Sequence, residues 1–343
     1  MKASLRLARF WFQLAITAGF FVLLAWRVDI GEALSTLPDA NWLWVFPGLL
    51  LFTASKAVHA LRWKVFLGKQ RQDVPYSGLL GIFLVHNMAN AVLLLRAGDV
   101  LRIQTTSQRY NIPRSELTAT VVVVETLFDG LAFVVLVALA FSLGAMPVVL
   151  RATFWSMAGL ALLGAGLGVV AARWVTIDSL ASIPPLRWLS TESRNSALSI
   201  LRQFQAGMRT LRDWQLAVPA LALSIGGWLL EAEAYWVFGH AFGLDLAWSS
   251  YLLIMMTANF AVSIPVTPSG IGPYEVATQE LVVALGGLSA QATGYAIGMH
   301  LCLIIWVTLT GLAAMWLMRL RPNEIFYIQA PETPEITPQP EAT

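Results

Sequence analysis

Pro265-Val266-Thr267-Pro268-Ser269-Gly270-Ile271-Gly272-Pro273-Tyr274-Glu275 is the stretch on which the fold turns, because of what surrounds it. Prolines and glycines packed this densely cannot continue a helix. Yet apolar segments, Ser249–Ile264 and Val276–Leu288, flank the stretch on both sides. Non-helical backbone at membrane depth is tolerated only where it is buried in protein or lines a watery cavity. A helix starting near Pro273 points the positive end of its dipole into that space, a ready anion site. The other reading is a loop exposed at the outer membrane face.

The composition supports the membrane reading. Of 343 residues, 57% are hydrophobic and only 12% charged, about half the ~25% charge of a soluble domain. Mean hydropathy is +0.66. A soluble fold of this length faces much of its surface to water and cannot hide so much apolar area. A soluble enzyme, a disordered chain and a disulfide scaffold are therefore excluded. The single cysteine, Cys302, leaves no disulfide framework or Cys-based zinc site. The four histidines (His59, His86, His240, His300) lie far apart, and neither a metal nor a cofactor is expected. Trp11, Trp26, Trp42, Trp44, Trp248 and Trp316 sit near the ends of apolar runs, as interfacial anchors do.

The sequence predicts six full spans. Phe10–Trp26, preceded by Lys2, Arg6 and Arg9, is read as a retained first helix, with a cleaved signal peptide as the alternative. Trp42–Ala60, Leu117–Leu143, Val148–Ala172, Leu216–Phe242 and Ala292–Met318 are the others, and the last four are long enough to cross ~30 Å of hydrocarbon with tilt. Gly78–Leu95 is shorter. A full crossing there puts the clusters Arg96–Arg114 and Arg173–Arg212 outside. A hairpin that enters and returns keeps them cytoplasmic, together with Arg62, Lys64, Lys69, Arg71, Arg319 and Arg321, as the positive-inside rule prefers. Ser249–Ile264 and Val276–Leu288 form either a hairpin or two spans, and their length favours the hairpin. The expected fold is an all-α polytopic membrane protein with two re-entrant or broken helical hairpins from opposite faces and both termini cytoplasmic.

The two breaks echo one another. Met88-Ala89-Asn90 precedes Arg96-Ala97-Gly98-Asp99, as Thr257-Ala258-Asn259 precedes the Pro/Gly stretch. Broken helices at matching places in two halves point to an inverted repeat and a transporter's central site; chance similarity of apolar stretches is the rival. Residues 1–321 form the expected membrane domain. Within it, Glu192–Trp214 reads as a basic amphipathic helix, lying on the cytoplasmic leaflet or packed on the protein. The acidic Pro-rich tail, 322–343, is expected to be disordered.

Ionisable residues at membrane depth mark candidate sites. Arg96 and Arg102 can present guanidinium forks to a phosphate, with Asp99 between them as counter-charge and N–H groups around Gly98 as donors; the alternative is an ordinary interfacial turn. Glu125 and Asp129 share one helix face, and two carboxylates on an apolar span need cations. Arg96 and Arg102 are the natural partners, in a binding site or in a purely structural ion pair. Glu280 lies beyond Glu275 as a supporting residue. Glu231, Glu233 and Lys56 are further in-membrane charges, with Glu233 and Lys56 as candidate partners. Glu275 and His300 are candidate proton sites, although a packed histidine is commoner. No P-loop, nucleophile elbow, H-E-x-x-H or dinucleotide fingerprint occurs.

Arg96-Ala97-Gly98-Asp99 with Arg102, Glu125-x-x-x-Asp129-Gly130, and Pro265-x-x-Pro268-x-Gly270-x-Gly272-x-x-Glu275 together resemble the lysylphosphatidylglycerol synthase transmembrane-region family, the flippase-like module of the bacterial multiple peptide resistance factor. The resemblance runs over about Phe10–Leu320. It implies a helical bundle of the bacterial inner membrane that moves lipids, aminoacylated phosphatidylglycerol among them, between leaflets. Carried over, Arg96, Asp99, Arg102, Glu125, Asp129, Gly270, Gly272 and Glu275 are the substrate-binding positions. The chain departs from the family at Leu94 (usually Pro), Asp99 (usually Glu), Ser269 (often Gly) and Thr126 (often Arg), which leaves the substrate open. The resistance factor's aminoacyl-transferase domain has no counterpart here, so no catalytic activity is expected. The expected role is translocation of an anionic, aminoacylated or polyprenyl-phosphate-linked lipid, possible partners being a separate synthase or glycosyltransferase but not nucleic acid. A lipid-modifying transferase and an accessory docking subunit are the alternatives.

Overall fold

The computed structural model describes residues 40–68, 71, 73–93, 97–144, 148–174, 191–263 and 267–320. Phe10–Trp26, the tail 322–343, Arg96 and Pro265 lie outside them. Among the described residues the chain is all-helical, with no strand. The helices are α1 (Trp42–Leu67), α2 (Tyr76–Val92), α3 (Ala97–Tyr110), α4 (Arg114–Ser142), α5 (Val148–Trp174), α6 (Thr191–Gly207), α7 (Trp214–Ala241), α8 (Trp248–Ser263), α9 (Pro273–Ala284) and α10 (Ser289–Met318). Five of them, α1, α4, α5, α7 and α10, are long and apolar enough to cross a membrane. The chain is a polytopic membrane protein.

Four predicted spans match these helices to within a few residues. Trp42–Ala60 does not. Leu61, Trp63 and Val65–Leu67 continue the apolar run, and α1 ends only at Gly68, whose φ of 74° suits glycine. Arg62, expected in a cytoplasmic basic cluster, is therefore a helix residue, and it is 1% exposed. By contrast α2, α8 and α9 have 17, 16 and 12 residues, or about 26, 24 and 18 Å, each short of the ~30 Å hydrocarbon core. They stop where the sequence breaks, and α3 packs back on α2 as α9 packs on α8.

Small residues set the helix pairing. α1 and α7 pack most extensively and run antiparallel: Gly48 lies against Phe238, His59 against Gly227, and Arg62 bonds Ser224. α2 and α10 are antiparallel too, with Gly81 against Met318 and Gly311 against Met88. Helices in lipid gain little from apolar burial alone, so close approach at glycine supplies their dispersion contact. The sequence predicts one helix over Glu192–Trp214, but α6 stops at Gly207, where any Cβ would strike the Glu116 backbone. A short 3-10 turn, Arg209–Leu211, then leads into α7. α6 packs on the start of α4, where Ser115 Oγ donates to Gln203 Oε1 at 2.6 Å.

The two largest apolar clusters among the described residues divide the bundle. One gathers Val45, Phe52, Tyr235, Phe238, Tyr251, Tyr274 and Tyr295. The other gathers Trp63, Phe66, Ile82, Leu117 and Phe128. Along α1 the first ends at Phe52 and the second begins at Ala60. The polar residues of α1 fall between them.

Candidate functional site

Ser55, Lys56, His59 and Arg62 are spaced by one, three and three residues, so they form one stripe along the middle of α1. The stripe faces a cavity of about 250 Å³ bordered by α1, α2, α4, α7, α8, α10 and the Pro/Gly turn. Each charge on the stripe meets its opposite. Lys56 Nζ lies 2.6 Å from Glu231 Oε2, which also accepts from Ser55 Oγ at 3.3 Å. Glu231 Oε1 accepts from Asn259 Nδ2 at 2.8 Å.

Arg62 carries the largest network. Its guanidinium bonds Asp129, Glu125 Oε1 at 3.0 Å and Ser224 Oγ at 3.0 Å. Asp129 Oδ1 also accepts from Trp228 Nε1 at 2.9 Å. The second oxygen of Glu125 is held by Arg102, whose guanidinium stacks 4.5 Å over Trp63. Two buried guanidiniums and two carboxylates thus neutralise each other, which charges withdrawn from water require. α4 makes a wider, π-helical turn over Ala119–Val124 just before Glu125; such turns re-aim the residues that follow and recur at functional sites.

The Pro/Gly stretch is buried at Thr267, Gly270 and Gly272, not looped out into solvent. Ser269, Gly270 and Gly272 have φ of 54°, 74° and 97°, a left-handed path that favours glycine. A Cβ on Gly270 would also press on the Val262 backbone. The path leads into α9, whose third residue, Glu275, accepts from Gly272 N at 2.6 Å, half of a capping box. The other Glu275 oxygen lies 2.6 Å from His300 Nδ1, and His300 stacks on Tyr274 at 3.9 Å. The two candidate proton sites are one unit.

Of the sequence-derived site residues, Glu125, Asp129, Gly270 and His300 line the cavity. Gly272 and Glu275 stand one step back, shaping the turn. Arg102 does not line it: it lies beneath Glu125, 1% exposed, and is not positioned as a fork for a phosphate. Asp99 sits 3.5 Å from His86, and Arg96 is outside the described residues. The expected pairing of Glu125 and Asp129 with Arg96 and Arg102 is corrected in part. Arg102 does hold Glu125, but Asp129 is held by Arg62. Lys56 pairs with Glu231, while Glu233 accepts from Trp248 Nε1 at 2.9 Å instead. Glu280 is exposed and does not border the cavity.

Sequence reasoning missed Arg62, His59 and the amides Asn87, Asn90 and Asn259 as cavity residues. The stripe spacing on α1 was the available signal for the first two. Asn90 and Asn259, the matched residues of the two echoes, both border the one cavity. Among the described residues no group of three or more His, Cys, Asp and Glu is arranged to hold a metal ion.

The described arrangement is a polar, charge-paired chamber inside an apolar helical bundle. Glycosyltransferase AglD of Haloferax volcanii is 24% identical over 312 aligned residues, covering 81% of this chain and 49% of that protein. The chain thus spans about half the length of this curated relative. No solved structure matches this chain. The family described as the lysylphosphatidylglycerol synthase TM region matches residues 10–311. With nearly its whole length so matched, the chain belongs to the lysylphosphatidylglycerol synthase transmembrane-region family.

Proposed function

We propose that the protein is a lipid translocator that admits a headgroup to the central cavity while the acyl chains stay in the bilayer. The observation that carries this reading is the cavity itself. Buried ions cost free energy even when paired, and a fold needing only stability fills this space with apolar side chains. Lys56 and Glu231 lie near the middle of α1 and α7, as does Asp129 in α4. In this reading α2–α3 and α8–α9 are re-entrant hairpins of an inverted repeat, supported by their short lengths and by Asn90 and Asn259 meeting at one cavity. Rocking of the two halves alternates access. The basic clusters support cytoplasmic termini, and the family resemblance supports a bacterial inner membrane.

Reconstitution into liposomes with fluorescent lipids tests the reading. Chemical quenching of outer-leaflet label is followed with time for wild type, Glu231→Gln and Glu125→Gln. Loss of protected label only with wild type is the expected result. Label that stays protected for every lipid in the panel, with folded protein present, overturns it.

The relative's name favours one alternative, a lipid-modifying transferase or an accessory subunit of one. Glu125 and Asp129 are the acid pair such an enzyme would use, and both are engaged by guanidiniums. A lipid of new mass, formed by purified protein from a glycosyl donor and lipid, is the result that selects this alternative.

A further inference from the structure

We infer that the group occupying the cavity is an uncharged polyhydroxylated headgroup, a sugar or polyol, and not a phosphate or an ammonium. The inference deepens the translocator reading and rests on the cavity being a headgroup site. Charge is the first argument. On the described wall Lys56 is matched by Glu231, and Arg62 by Glu125 and Asp129, with Arg102 behind the wall on the far side of Glu125. Glu275, set back from the wall, is held by His300 and Gly272 N. Among the described residues of the wall a phosphate finds no unmatched cation, and an ammonium finds no spare carboxylate. A charged headgroup must first break a buried pair, whereas a neutral one need not.

Hydrogen-bond polarity is the second argument. The amide orientations are set by their partners: Asn87 Nδ2 donates to Phe83 O at 2.7 Å, and Asn259 Nδ2 donates to Glu231 and to Met255 O. Both therefore offer the cavity an acceptor, Oδ1. Asn90 is reversed: its Oδ1 accepts from Gly98 N at 2.9 Å, leaving Nδ2 as donor. A ligand must both donate and accept, as hydroxyls do; an ionised phosphate only accepts and an ammonium only donates.

His59 is the third. It lines the cavity, is 4% exposed, and neither ring nitrogen has a hydrogen-bond partner. A neutral imidazole presents one donor and one acceptor. Thr267 Oγ1 is likewise buried, without a partner, on the same wall. Buried polar groups are seldom left so, and a hydroxylated ligand satisfies both. Phe83, Trp228 and Tyr274 complete the wall with aromatic surface, suited to the apolar faces of a sugar ring.

The test measures equilibrium binding to purified full chain in detergent. The probes are a monoglucosyl-diacylglycerol, a phosphatidylglycerol and a trimethylammonium-propane diacyl lipid of equal chain length. The glucosyl lipid is expected to bind tightest, by roughly tenfold or more, since each well-made buried hydrogen bond approaches a factor of ten. His59→Phe and Asn87→Leu, neither of which removes a bond to another helix, each weaken it by roughly the same factor. His59→Gln, which keeps a donor and an acceptor, retains most of the affinity. Equal or tighter binding of either charged lipid, or no binding of the glucosyl lipid, overturns the inference. The same three lipids are run in the liposome assay. Tight glucosyl-lipid binding without any leaflet exchange leaves the headgroup assignment standing and removes translocation. Exchange of a charged lipid in preference to the glucosyl lipid does the reverse.

Discussion

The guanidinium cluster and the Pro/Gly turn, two of the polar groups at the cavity, are built by different means. The guanidinium cluster joins Arg62 of α1, Arg102 of α3, and Glu125 and Asp129 of α4. Its members come from three helices, and only packing brings them together. The turn from Thr267 to Glu275 is made by neighbours in sequence, and its shape comes from backbone torsions at Ser269, Gly270 and Gly272. The first solves the problem of polar groups in an apolar interior by cancelling charge. The second folds the backbone so that the Gly272 N–H meets the carboxylate of Glu275 close at hand. The cluster should therefore fail as a unit when one ion is removed, and the turn should respond mainly to changes in local geometry.

The largest expected effect follows from Arg62→Met. Two partly buried carboxylates lose a shared cation, at a cost of about 3 kcal/mol, read as a fall in detergent unfolding temperature. Adding Asp129→Asn should recover a substantial part, because the uncompensated charge is then gone; a double-mutant cycle measures the coupling. Additive losses would mean that the ions do not act as a unit.

Gly270→Ala comes next, at about 2 kcal/mol, because it combines a left-handed φ with pressure on the Val262 backbone. Ser269→Gly acts in the opposite direction. It relieves a non-glycine residue at φ 54° and should be close to neutral or stabilising. A large loss from Ser269→Gly would show that the hydroxyl, not the torsion, matters at that position.

Glu275→Gln should cost about 1 kcal/mol, since the amide oxygen still accepts from Gly272 N and only the contact to His300 changes. A loss as large as that of Arg62→Met would place the turn in the same charge-dependent class as the cluster. The smallest effect is expected of Trp248→Phe, below about 1 kcal/mol. It removes only the bond to Glu233, and neither residue borders the cavity, so leaflet exchange should be unchanged.

The reach of sequence reasoning follows the same division. Spans and breaks were legible because apolar runs and Pro/Gly interruptions are local properties of the chain. Gly270, Gly272 and Glu275 were legible for that reason too: a Pro/Gly stretch and the helix start beyond it lie within a few residues. The pairings were not. Glu233 and Glu231 differ by two positions on α7, and only the rotation of that helix against α1 and α8 sends one to Trp248 and the other to Lys56.

By itself, then, the sequence determined a helical membrane bundle, where its helices break, and that carboxylates at Glu125 and Asp129 need cations. Tertiary structure decided which cations those are. Arg62 heads the basic cluster of Arg62, Lys64, Lys69 and Arg71, and such clusters ordinarily meet cytoplasm. The packing of α1 against α7, close at Gly48 and Gly227, turns Arg62 inward, onto α4. An arginine's surroundings depend on which helix face is covered, and that is settled by contacts between residues distant along the chain.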